Sequence, residues 1–346
     1  MTELNWLNGE PAERQDRHRP QRPILLVALE GWFDAANVAT KALQVLKQSW
    51  PIETLATIDP DGFYDFTQQR PTVALDDHEE PQVTWPTNEF VLLRTTRVHS
   101  DLVTLTGVEP HLRWNTYAKL VIEAALELDC VGVVTVGATA DAVPHTRNPV
   151  AFASTTHKQL ASRLGLSTPQ YQGITGVVGV LQAALDEHDL FGVSLRVPVP
   201  YYLGNAYHPR STAALLRYLE HILGLPTNAS TMNPEIEHWQ HLHDAAVQND
   251  PEARSFVRAL EADFDRRTEA SIPSGEDLAG EFERFLREQD AVGGRGFVDE
   301  LEELSAELGL DDDEAERVDD LDLDLDLDTD DDEERRDDRD DRDDER

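Results

Sequence analysis

The sequence predicts an α/β fold, an open sheet with helices on both of its faces. Three observations predict it. Short, continuously apolar runs rich in Leu, Ile and Val read as strands buried on both sides. Segments with helical apolar spacing follow several of these runs. The two kinds of segment alternate along the first two-thirds of the chain, the pattern of a sheet covered by helices.

Residues 1–23 are polar and lack an apolar core of signal-peptide length, so they read as a flexible leader. Ile24–Leu29, ILLVAL, is the first buried strand. Ala35–Trp50 is the following helix, with Asp34 placed to cap it and Pro51 to end it. Ile52–Ile58 reads as a strand and Asp59–Thr67, DPDGFYDFT, as a turn rich in Asp and aromatics. Gln68–Asn88 is polar and proline-punctuated, an insertion or hairpin, before a strand at Phe90–Thr95. In Arg113–Leu128, Trp114, Tyr117, Val121, Ala124 and Leu128 recur at helical spacing. Val131–Val136 is another buried strand, and a helix is expected around Thr155–Leu164. From Tyr171, YQGITGVVGVLQAAL reads as a glycine turn feeding a helix from about Gly176. A strand at Phe191–Val199 and a helix at Ser211–Leu223 complete a core domain over 24–224.

Residues 225–309 carry helical patterns and no convincing strand, so they read as a helical appendage and a candidate lid. Within it Ser274–Asp277 resembles a capping box with Asp in the Glu position, ahead of a stripe of Leu278, Phe282, Phe285 and Leu286. Residues 310–346 form an acidic tail. Its DLDLDLDLD stretch alternates like a strand, but the charge density opposes burial and disorder is expected.

Charge and composition bound the function. The net charge is −38. Asp311–Arg346 holds 23 acidic and 6 basic residues, a net −17, which leaves −21 on the preceding 310. An acidic body repels phosphate backbones, so no nucleic-acid partner is expected. No stretch approaches a membrane span, and a membrane partner is not expected either. The single cysteine, Cys130, cannot form an internal disulfide and reads as a buried thiol, which fits a reducing, cytoplasmic setting.

Ligands of open α/β sheets bind at the carboxyl ends of the strands. That rule selects Glu30–Asp34, Asp59–Asp65, Thr95–Arg97, Gly107–His111, Gly137–Thr139 and Pro198–Tyr202. Glu30 and Asp34 suit acid–base work or a ligand amine; equally, Asp34 suits a helix cap and Glu30 an arginine partner. Trp32 suits stacking on a ligand ring or closure of the core edge. Asp59, Asp61 and Asp65 resemble half of a calcium loop without its closing Glu, and turn formation accounts for them better. In VPHTRNP, 143–149, His145 suits a proton shuttle and Arg147 a carboxylate or phosphate clamp, or both tie the loop to its neighbours. GITGVVG, 173–179, offers backbone amides to an anion but lacks the P-loop ending, so tight packing is its simpler role. His238 and His241 in HWQHLHD are spaced one helical turn apart in the appendage, and no metal role is assigned to them. A G-x-S-x-G elbow, an H-E-x-x-H motif and a cysteine pair are all missing from the sequence.

Six colinear stretches bring a family into view: EGWFDAANVAT (30–40), DPDGFYDFTQQRP (59–71), TGVEPHLRW (106–114), VGATADAVPHTR (136–147), YQGITGVVGVL (171–181) and SGEDLAGEFERFLREQ (274–289). Together they resemble the proteasome assembly chaperone 2 family in its actinobacterial branch. The resemblance implies a three-layer α/β/α sandwich with a phosphorylase-like core, self-association with a trimer plausible, and helices lying over the strand ends. Eukaryotic and archaeal relatives assist assembly of the proteasome core. Proteasome-docking relatives often end in a hydrophobic residue, a tyrosine and one last residue; this sequence ends DDRDDER, so docking through such a tail is not expected. The family loop often reads His-Thr-Arg-Pro, and here Asn148 intervenes before Pro149.

The expected site is one cleft at the strand ends, built from Glu30, Gly31, Trp32, Asp34, Asp61, Tyr64, Glu109, Arg113, His145, Arg147, Gly173 and Thr175. Two functions compete for it. The first is a non-catalytic, homo-oligomeric binding or assembly protein with a protein client and no cofactor. The second is a small-molecule sensor, or a hydrolase or transferase, using the same cleft.

Overall fold

A computed structural model describes residues 3–7, 9, 20–95, 101–188, 190–270 and 297–308. The expected capping box at Ser274–Asp277 and the acidic tail lie outside the described residues. Among the described residues, no helix is long and apolar enough to cross a membrane.

Ten strands are described: β1 Leu4–Trp6, β2 Ile24–Glu30, β3 Ile52–Ile58, β4 Thr72–Leu75, β5 Pro81–Thr84, β6 Asn88–Leu93, β7 Leu102–Val108, β8 Gly132–Asp141, β9 Phe152–Ser154 and β10 Gly192–Pro200. The helices are α1 Val38–Lys47, α2 Trp114–Glu127, α3 Lys158–Leu164, α4 Val177–Glu187, α5 Pro209–Leu223, α6 Asn233–Asn249, α7 Pro251–Ala270 and α8 Phe297–Leu308. Eight strands form one sheet in the order β1-β3-β6-β7-β2-β8-β10-β9, and β4 pairs with β5 in a separate hairpin.

The apolar run of β2 explains the layering. Ile24, Leu26 and Ala28 enter one core with residues of α1 and α5. Leu25, Val27 and Leu29 enter a second core with residues of α2 and α4. Successive strand side chains point to opposite faces, so an unbroken apolar run feeds two cores at once. The result is the expected α/β architecture, a large sheet flanked by helices.

The sheet is mixed. β7, β2, β8 and β10 run parallel, whereas β6 is antiparallel to both β3 and β7. The end of β6 therefore lies beside the strand beginnings, and Leu93 pairs with Leu102 and Ile52. This moves Thr95 out of the expected cleft; Thr96 and Arg97 lie outside the described residues.

Three strands were not expected. β1, inside the expected leader, pairs antiparallel with β3, and Leu4 is buried in the second core. A short polar-flanked strand is silent in sequence because its partner lies about fifty residues away. β7 is broken by threonines, yet Thr104 is buried with its hydroxyl donating to Val91 O at 3.3 Å. β9 has only three residues and is recruited by β10. Cys130 is buried, and burial pushes its thiol well above the ordinary range. Residues 225–309 include α6, α7 and α8, and α8 completes the first core: Leu301 and Leu304 are buried in it.

Candidate functional site

The ends of β2 and β7 and the start of α4 meet around one carboxylate. Glu109 Oε2 accepts the Trp32 backbone N–H at 2.7 Å, and Oε1 accepts the Val177 N–H at 3.1 Å. The N–H groups of a first helical turn have no intrahelical partner. Glu109 satisfies one of them, so the chain's own carboxylate sits where the glycine stretch was weighed as an anion cradle. Glycine is needed on both sides of it. An added Cβ at Gly31 would lie 2.4 Å from Glu109 Oε2, and one at Gly176 would lie 2.8 Å from Oε1.

A cleft of about 600 Å³ opens beside this corner. Of the twelve expected site residues, Glu30, Gly31, Trp32, Glu109 and Thr175 line it. Gln68, Gln69 and Ile174, which the sequence did not single out, line it as well, together with His111 of the selected Gly107–His111 stretch and Trp114 of the TGVEPHLRW motif. Gln68, Gln69 and Ile174 also lie within quoted motifs, at positions given no site role. The His111 Nδ1 accepts the Asp65 N–H at 3.1 Å, which leaves Nε2 as the ring's donor. Trp32 is 63% exposed and Ile174 82%.

The other expected residues do other work. Asp34 is buried; α1 begins at Val38 after a 3-10 turn at Ala35–Asn37, with Asn37 rather than Asp34 at its N-cap, and Asp34 binds the amides of its first turn. Its Oδ1 accepts from Ala39 N at 2.6 Å, and Oδ2 accepts from Thr40 N at 3.2 Å and Thr40 Oγ1 at 2.5 Å. Burial raises its pKa against the lowering effect of those bonds. Asp61 is exposed in a turn where Asp59 Oδ1 accepts its N–H at 2.9 Å. Tyr64 is buried and donates to Val108 O at 2.7 Å. Arg113 pairs with Glu3 and lies 5.3 Å over the Phe63 ring. Gly173 sits in the loop before α4, where an added Cβ would meet the Tyr171 hydroxyl at 2.6 Å.

His145 and Arg147 belong to a different place, where the loop after β8 meets α6 and α7. Tyr202 Oη accepts the His145 backbone N–H at 2.8 Å and lies 2.5 Å from Nδ1. Its own proton then points to Nδ1, which leaves the Nε2–H facing Asp244 Oδ1 at 3.5 Å. The ring is fully buried and packs against Trp239, which stacks on His243 with centroids 3.7 Å apart. Burial lowers the His145 pKa and, for the neighbouring His208, pushes it down to about 3. Arg147 grips α7 with a two-pronged bond to Asp265, 2.8 Å on each side, and a 3.1 Å contact to Glu261. Its pKa is raised, first by the bond to Asp265, whose own pKa Arg147 lowers.

Thr146 also bonds Glu261, and Arg267 donates to Ala142 O at 3.2 Å. The one expected cleft is therefore two places: a strand-end cleft, and a joint, buried at His145 and partly exposed at Arg147, where the loop after β8 meets α6 and α7. Glu30, Arg113 and His145 do not converge, so the acid–base set weighed for group transfer is not assembled. His238 and His241 are exposed, and no grouping of metal-ligating side chains occurs among the described residues.

A family model described as the PAC2 family matches residues 28–246. That span covers the whole cleft and the His145 loop and ends within α6.

The chain belongs to the PAC2 family.

A PAC2 family protein from Streptomyces avermitilis is 33% identical, with a TM-score of 0.64, over 68% of this chain and 99% of that one. A proteasome-assembly chaperone homologue from Mycobacterium tuberculosis is 29% identical, with a TM-score of 0.62, over 68% and 99%. An archaeal proteasome activator from Pyrococcus furiosus, 19% identical with a TM-score of 0.53 over 71% and 99%, shares the fold. No curated protein matches. Within the PAC2 match lie all twelve expected site residues, whereas Glu261 and Asp265, the partners of Arg147, fall beyond it.

Proposed function

We propose that this PAC2 family member is a non-catalytic, assembly-chaperone-like protein. It works in the cytoplasm as a homo-oligomer, a trimer by family resemblance, and holds a protein client at its strand-end face. The observation that carries the reading is the rim of the cleft. Trp32, Ile174 and Tyr171 are 63%, 82% and 70% exposed. Tyr171 donates to Ile174 O at 3.0 Å, so the two stand on one braced loop. Large apolar side chains grouped on a surface mark interaction sites. The mycobacterial relative, a proteasome-assembly chaperone homologue, supports a protein as the client.

A second reading, a small-molecule sensor, draws on the cleft itself. About 600 Å³ lined by Glu30, His111 and Thr175 is the size and polarity of a ligand pocket.

Native mass spectrometry on protein purified gently from its own cells separates the two. The assembly reading expects an oligomer holding another polypeptide, released by Trp32→Asp. A trimer with excess small-molecule mass favours the sensor. A bare monomer overturns the proposal.

A further inference from the structure

We infer that the strand-end cleft receives the guanidinium of an arginine carried by the partner polypeptide. The inference rests on the protein-binding reading above and names the chemistry of that partner.

Charge selects a cation. Among the described residues, the cleft is lined by two carboxylates, Glu30 and Glu109, and by no lysine or arginine. Arg113, close in sequence, is committed to Glu3. Glu109 already accepts two backbone N–H bonds. Glu30 is exposed, and the one described bond to its carboxylate is a long 3.4 Å contact from Asn37. Its carboxylate therefore retains acceptor positions toward the cleft.

The aromatic surface selects a flat cation. A single point, the Cβ position of Gly176, lies 3.0 Å from Trp32 Cε3 and 2.8 Å from Glu109 Oε1. The indole and the Glu109 carboxylate are thus immediate neighbours, Glu30 lines the same cleft, and the indole is mostly uncovered. A guanidinium is weakly hydrated, stacks on aromatic faces and bonds carboxylates through a planar fork. An ammonium satisfies the charge but not the stack.

The surroundings select a polypeptide over a free amine. The cleft is open to the exposed Ile174 and Tyr171, and a free amino acid would leave that apolar rim uncovered. Residues flanking an arginine would cover it. Gln68, Gln69 and His111, which also line the cleft, offer donors and acceptors to the peptide backbone.

The test uses the full chain labelled with 5-fluorotryptophan, whose six resonances are sorted by Trp32→Phe. The probes are acetyl-Leu-Arg-Leu amide, its citrulline counterpart, and free L-arginine. The expected result is a shift of the Trp32 signal by the arginine peptide. The citrulline peptide and the Glu30→Gln variant should each bind about ten-fold more weakly, as loss of one charge-assisted contact predicts. Melting of Glu30→Gln at the wild-type temperature shows that the fold is intact. Equal binding of the citrulline peptide, an unmoved Trp32 signal, or free arginine binding as tightly as the peptide would each overturn the inference. No peptide shift with a client still recovered from cells overturns this inference alone. A peptide shift with no client leaves the arginine site standing and counts against the assembly reading.

Discussion

The Glu109 carboxylate accepts the Val177 amide at 3.1 Å, so an acid from the loop after β7 closes the first turn of α4. Its other oxygen holds the Trp32 amide at 2.7 Å. One side chain thus joins three segments at the mouth of the cleft. Hydrogen bonds to a charged group contribute roughly 1.5–3 kcal/mol each when buried, and less where water competes. Glu109→Ala is expected to destabilise the chain by about 1–3 kcal/mol in urea denaturation. An unchanged midpoint would show that the joint carries no stability.

Gly31→Ala tests the same joint from the opposite side. The added Cβ would clash with Glu109 Oε2 at 2.4 Å and Glu109 Cβ at 2.6 Å. Overpacking of this kind costs about 1–3 kcal/mol. Alanine at 109 removes Oε2 and Cδ but keeps the Cβ at 2.6 Å, so the cost should shrink in part when Glu109 is already alanine. A double-mutant cycle showing simple additivity would contradict this geometry.

Asp34 makes a local prediction. Three donors, Ala39 N, Thr40 N and Thr40 Oγ1, converge on its carboxylate. Losing the side-chain acceptor of a first helical turn costs about 0.5–2 kcal/mol. Asp34→Ala should lower the melting temperature, and Asp34→Asn should recover part of the loss by keeping one oxygen acceptor. Equal melting of all three proteins would show that these bonds carry no stability.

Arg147 makes a prediction about α7. Its fork holds Asp265 and Glu261, residues more than a hundred positions away. The pair is partly exposed, so little global stability is expected from it. Arg147→Ala should instead speed hydrogen exchange in residues 251–270 while global melting moves little. Arg147→Lys should restore protection only in part, because an ammonium cannot make the two-pronged bond. Unchanged exchange would mean that α7 is held by other contacts.

The histidine joint makes a prediction about pH. Burial holds both His145 and His208 below the ordinary 6.5, His208 at about 3. Asp244, His243 and Glu261 act on His145, while Arg210, His145 and His243 act on His208. A histidine whose folded value is depressed takes up a proton on unfolding. Stability is therefore full above about 6.5 and declines as pH falls from there toward the folded values. The melting temperature should drop between pH 7 and pH 5, and His208→Gln should flatten the slope. A flat wild-type profile would show that the two rings do not couple to folding.

The sequence by itself determined the layers. Six buried residues of β2 announce a strand covered on both faces, and alternate members serve the two cores. Gly176 before α4 and Asp34 before α1 were legible because capping and turn chemistry act within a few residues. The family motifs were equally local and marked the cleft wall at Glu30–Trp32.

Only the tertiary structure decided what those residues face. Nothing near Glu109 in sequence announces Val177, and nothing near Arg147 announces Asp265, although Glu261 and Asp265 at i, i+4 share a helix face. The antiparallel direction of β6, which sends Thr95 to the far edge, follows from strand pairing and leaves no local trace. Hydrophobic periodicity records whether a side chain is buried, because burial acts on each residue separately. The identity of a polar partner depends on which distant elements meet, so His145 and Glu30, read as one cleft, stand in a helix-packed joint and a separate strand-end cleft.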